Sequence, residues 1–105
     1  MRRARTVDEY VAMIRDAIYE VEEMRAAIEY DEEYMSDSSK IIGELASSLK
    51  EVMDAMQEGT YSWRTGDLRY IPMIKDLDER VVPFRSLLLR INDTHKHGLE
   101  PEDGA

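Results

Sequence analysis

Apolar residues that recur every three or four positions along most of the chain constrain this sequence more than any other feature. Val7, Val11, Ile14, Ile18, Val21 and Ile28 form the first series, and Tyr10, Ala17 and Met24 widen it. That spacing stacks one side chain per helical turn on a single face, whereas a half-buried strand would alternate every second residue. Thr6-Val7-Asp8-Glu9 precedes the series as a capping box. In such a box the threonine hydroxyl accepts from the backbone N–H three residues on, and the glutamate reaches back. A helix over 7–34 is predicted.

A second series follows in Ile41, Ile42, Leu45, Leu49, Val52, Met53 and Met56, ending at Gly59. Ser36-Asp37-Ser38-Ser39 offers N-cap side chains between the two series. The expected second helix therefore covers 38–58. Yet Val7, Ile14, Val21, Ile28, Met35, Ile42, Leu49 and Met56 keep one seven-residue register, and the serine run contains no proline. One long or bent N-terminal helix is the alternative. The third series is Ile74, Leu77, Val81, Phe84, Leu88 and Ile91. It predicts a helix over 72–97, kinked at Pro83 because the phase is the same on both sides. Residues 59–70 form the one clear loop, with Gly66-Asp67 as its turn signal. Residues 1–5 read as a basic arm and residues 99–105 as an acidic tail.

Together these elements predict one all-α domain, an up-down-up three-helix bundle. A chain of 105 residues suits a single core. Leu87-Leu88-Leu89 spans about 200° of a helix at 100° per residue, wider than one two-helix groove covers. Val82 lies about one to two turns earlier on the same helix. Val82, Leu87, Leu88 and Leu89 are therefore the expected interface of a homodimer that completes a larger bundle.

The formal charge is −9, concentrated on the first helix. Backbone phosphates are bound by clustered Lys and Arg, so a nucleic-acid partner is not expected, although an acidic chain can compete with DNA for a basic protein. Thiol catalysis, disulfides and zinc ribbons need cysteine, and there is none. No apolar run approaches the roughly 18 residues of a membrane span, and Met1-Arg2-Arg3-Ala4-Arg5 leads into Asp8 and Glu9 rather than an apolar segment. A cytoplasmic protein without a membrane partner is expected.

Di-iron bundles need Glu-x-x-His on facing helices, and neither His95 nor His97 has a carboxylate three residues before it. Asp93 and His97 stand four apart with His95 between them, which makes these three the weak metal candidates. Complementing the helix dipole is their more ordinary role. Glu29-Tyr30-Asp31-Glu32-Glu33-Tyr34 lacks the alternating ligands and central glycine of a calcium loop. A solvated face, or pairing with Arg80, Arg85 and Arg90, is its plainer reading. Nucleophile elbows and phosphate loops are absent, so no catalytic residue and no cofactor is expected.

The loop is the unusual segment. Tyr61, Trp63, Arg64 and Arg69 gather the single tryptophan with residue types enriched at binding hot spots. They are the candidate partner-binding residues of a non-catalytic helical interaction or assembly module. The bland reading is that Tyr61 and Trp63 plug the end of the bundle. The functional alternative is a small-ligand or metal-binding bundle, with its pocket between the loop and the Asp93/His97 end.

Overall fold

The computed structural model describes residues 3–30, 36–75 and 82–100, without the side chains of 28–30 and 36–40. Four helices occupy the described chain: α1 (Val7–Tyr30), α2 (Ser36–Glu58), α3 (Ile71–Ile74) and α4 (Arg85–His97). The all-α reading holds, and among the described residues there is no strand. Nor is any described helix long and apolar enough to cross a membrane.

The capping box forms as the sequence dictates. The Glu9 backbone N–H donates to the Thr6 hydroxyl at 3.0 Å, and the Glu9 carboxylate accepts from the backbone of Arg5 and Thr6 at 2.6 and 3.3 Å. From there α1 buries Tyr10, Ile14, Ala17 and Val21, and α2 buries Ile42, Leu45, Leu49 and Val52. These two stripes face each other, since α1 packs along α2. Two helices side by side cannot be one continuous rod, so the single long N-terminal helix is excluded. Ser36 to Ser39 do not form the break either: they lie inside α2, and 31–35 lie outside the described residues. Val7 begins the first series but is 47% exposed, because it lies in the first turn, beyond the reach of the core.

The expected helix over 72–97 is corrected more deeply. It is two helices, and Val82, Pro83 and Phe84 between them are not helical among the described residues. Pro83 supplies no N–H and disfavours α geometry at Val82. Instead the Arg85 N–H donates to the Val82 carbonyl at 3.0 Å, closing a turn with proline in its second position. The interruption still points inward, since Val82 and Phe84 are both buried. Arg85 then donates from its guanidinium to the carbonyls of Ile74 and Lys75 at 3.3 and 3.1 Å, satisfying the end of α3. Tyr70, also without exposed surface, donates its hydroxyl to the Leu88 carbonyl at 2.6 Å and ties the entrance of α3 to α4.

The terminal segments are tied down where described. Ala4 is buried, its N–H donates to the Thr94 hydroxyl at 3.1 Å, and its carbonyl accepts from Glu100 at 2.8 Å. The basic arm and the start of the acidic tail thus flank the end of α4, while 101–105 lie outside the described residues.

Candidate functional site

Loop 59–70 lies across the start of α1 and the end of α4, and its backbone is anchored at several points. Gly59, at φ 76°, terminates α2 in the left-handed conformation that glycine adopts without a Cβ penalty, and the Thr60 N–H closes back onto Ala55 O at 2.9 Å. The Arg64 N–H donates to the His95 carbonyl at 2.9 Å. Buried Asn92 accepts from the Leu68 N–H at 2.7 Å and donates to Asp67 at 3.1 Å. Lys96 reaches the same carboxylate at 3.3 Å. The Asn92 hydrogen bond, then that of Lys96, holds the Asp67 carboxyl below its ordinary range.

Three rings fill the space under the loop. Trp63 lies 5.0 Å from Tyr10 and 4.9 Å, edge-on, from Tyr61, while Tyr10 and Tyr61 are 5.9 Å apart. Aromatic rings attract at these separations through complementary edges and faces. Their polar ends form one chain. The Tyr10 and Tyr61 hydroxyls are 2.7 Å apart, Tyr61 also reaches His95 Nδ1, and His95 Nε2 lies 2.9 Å from the Thr65 hydroxyl.

Hydrogen-bond arithmetic gives that chain a direction. Tyr10 has no exposed surface, and among the described residues Tyr61 is its one hydrogen-bond partner. If Tyr61 donated to Tyr10, the Tyr10 proton would be buried without an acceptor, at a cost of about 1–3 kcal/mol. Tyr10 therefore donates to Tyr61, Tyr61 to Nδ1, and Nε2–H to Thr65. This direction requires His95 to be neutral with its proton on Nε2. Burial pushes its pKa below the ordinary 6.5. Burial also raises Tyr61 to about 12 and drives Tyr10 further up, so both phenols keep their protons at neutral pH. With both ring nitrogens engaged, the imidazole presents no free lone pair to a substrate.

No family model, curated protein or solved structure matches the chain. The site is therefore judged on its own geometry.

Of the four loop residues singled out in the sequence, Tyr61 and Trp63 are half-buried in the ring cluster and Arg64 and Arg69 are exposed. Arg69 points towards α2, where it pairs with Glu51 at 2.9 Å, an exposed contact worth about 0–1 kcal/mol. Arg64 instead joins Trp63, Gly98 and Leu99 around an open groove of about 450 Å³. Among the described residues it is the one non-glycine with positive φ, at 61°. Its guanidinium lies over Gly98, where an added Cβ would come within 2.8 Å of Nη2. Gly98 itself sits at φ 82°, ψ −175°, a conformation open essentially to glycine alone.

The weak metal set does not assemble. Asp93 and His97 pair at 3.5 Å on the outer side of α4, while His95 turns inward to the hydroxyls. Among the described residues, no group of three or more His, Asp or Glu side chains is placed to hold a metal ion. Where the alternative ligand pocket was expected there is a shallow recess of about 260 Å³, walled in part by Tyr61, Thr65, Asp67 and His95.

Of the residues expected at a dimer interface, Val82 and Leu88 have no exposed surface within one chain, and Leu87 and Leu89 are half-buried. Val82, Phe84, Ile71 and Ile74 belong to the same apolar cluster as Leu88 and Ile91 of α4, which packs against α1 and α3.

Tyr10, His95, Thr65 and Asn92 complete the site without having been singled out as its members. His95 had a signal, because positions 84, 88, 91 and 95 continue the three-and-four spacing and place the imidazole on the buried stripe. Tyr10 had the same kind of signal, since it widens the first apolar stripe, but the partners of Tyr10 and Asn92 come from 51 and 24–25 residues away and had none.

Proposed function

We propose that the chain is a non-catalytic helical interaction module, with α1, α2 and α4 as an up-down-up bundle, that binds a partner protein through Trp63 and Arg64. The partner segment would bring an apolar side chain for the groove beside Trp63 and a carboxylate for the guanidinium. The geometry of Arg64 supports this most. A left-handed conformation costs a residue with a Cβ roughly 1–2 kcal/mol that glycine avoids, yet an arginine occupies it and keeps its side chain at the surface. Strain of this kind tends to persist at functional positions. The loop below it is anchored to a rigid frame, the setting in which binding residues commonly sit.

Arg64→Gly separates stability from function in one variant. Glycine tolerates the backbone, so the urea midpoint should stay level or rise. Among the described residues the variant loses one side-chain hydrogen bond, the weak contact of Nη2 with His97 O at 3.4 Å, and the packing of the guanidinium over Gly98. Partner affinity should fall by about 2 kcal/mol, as for an arginine hot spot. The measurement is a comparative affinity capture from the source cells with both proteins, followed by binding assays on proteins that wild type enriches. Capture unchanged by Arg64→Gly would refute the assignment.

A further inference from the structure

We infer that His95 is an acid-sensitive latch: its protonation breaks the Tyr10–Tyr61–His95–Thr65 hydrogen-bond chain and releases the loop carrying Trp63 from the end of the helical body. This concerns the same loop as the proposed partner surface, but it holds whether or not that surface binds anything.

The chain runs in one direction because Tyr10 must donate. A protonated imidazole donates from both nitrogens, so Nδ1 ceases to accept and turns a proton towards Tyr61. Tyr61 can accept from both Nδ1–H and Tyr10, but its own proton then has no acceptor among the described residues, and turning it towards Tyr10 leaves the buried Tyr10 proton without one. The neutral Nε2–H chain satisfies every one of these groups, whereas protonation leaves one hydroxyl proton without an acceptor among the described residues unless Tyr61 swings out. Tyr61 is bonded to the imidazole and packed edge-on against Trp63, so its departure takes the tryptophan with it.

The charged surroundings do not rescue the imidazolium. Tyr10 faces it from α1 and Tyr61 from the loop. Glu51 of α2 and Asp67 and Arg69 of the loop share its recess. Glu51 is paired with Arg69, and Asp67 with Asn92 and Lys96, the latter on the same helix as His95. Hydroxyls occupy both ring nitrogens, so no carboxylate touches them. Burial accordingly holds the folded pKa below 6.5. A histidine depressed in this way contributes nothing pH-dependent above 6.5. Its stabilisation is lost as pH falls from 6.5 through the folded value. His97, exposed and paired with Asp93, sits outside the network and serves as the control.

The test is an acid titration of the full chain followed by Trp63 fluorescence, since there is one tryptophan, alongside far-ultraviolet circular dichroism and NMR of the histidine rings. Below pH 6.5 the emission should shift to longer wavelength while helicity is retained. Its midpoint should match the NMR titration of His95, and the ring should be in the Nε2–H form at neutral pH. His97→Gln should keep the transition, and His95→Gln should abolish it. If His95→Gln fails to fold, the wild-type ring titration and tautomer decide by themselves. An Nδ1–H tautomer, a His95 midpoint at or above 6.5, His95 protonation without a change in Trp63, or an unaltered transition in His95→Gln would each overturn the latch.

Discussion

Leu45→Asp unfolds the protein. Leu45 lies in the middle of α2 with no exposed surface, within the same apolar cluster as Ile14, Leu49, Leu88 and Ile91. Truncating such a leucine alone costs about 2–5 kcal/mol. A carboxylate there adds several kcal/mol for a charge removed from water without a partner. A domain of this length has roughly 5–15 kcal/mol in total. Circular dichroism with urea titration should therefore show no cooperative transition for Leu45→Asp. Lys50→Asp, an exposed change on the same helix, should retain one. A near-native melt for Leu45→Asp would mean that the stripe on α2 does not face the core.

Trp63→Ala has the second-largest expected effect. The indole fills the angle between Tyr10 and Tyr61, and its removal opens both ring faces to water. Fully buried aromatics cost about 3–5 kcal/mol when cut to alanine, and a half-buried ring falls at or just below the lower end, near 3 kcal/mol. At about 4–8 °C per kcal/mol for a domain of this size, the melting temperature should drop by about 10 °C or more. Trp63→Phe keeps one ring and should lose about half as much. An unchanged melting temperature in Trp63→Ala would show that the loop rests on the helices without being held by them. Because Trp63 supports the fold in this way, Arg64 is the cleaner probe of partner binding.

The parts of this architecture legible in the sequence are those set by neighbours a turn or two away. The Thr6–Glu9 box, the buried faces of α1 and α2 and the stop at Gly59 all depend on spacings of at most five residues, and each appears where those spacings put it. Errors arose where periodicity is blind. A seven-residue register continues across 31–35, so it cannot tell one helix from two that pack side by side. The register also persists through Pro83, because Val82 and Phe84 bury their side chains from a turn as well as from a helix. Of the residues expected at a dimer seam, Val82 and Leu88 are internal while Leu87 and Leu89 are half-buried. The site was half legible for a similar reason. Composition drew attention to Tyr61, Trp63 and Arg64, but their partners on α1 and α4 meet them only through tertiary packing. His95 shows the limit most clearly, since its place on the apolar stripe was readable and its pairing with Tyr61 and Thr65 was not.

Native-state hydrogen exchange at the backbone amides of Arg64 and Leu68 tests most directly whether the loop is a pre-organised surface. Both donate into α4, to the His95 carbonyl and to Asn92 Oδ1. Loops that open independently exchange with free energies near zero, whereas locked segments approach the global unfolding free energy. The two amides should be protected to nearly the level of Leu88 and Ile91 in α4, above pH 6.5. Exchange at the rate of an unstructured peptide at both positions, with α4 still protected, would contradict a loop built to hold Trp63 and Arg64 in place.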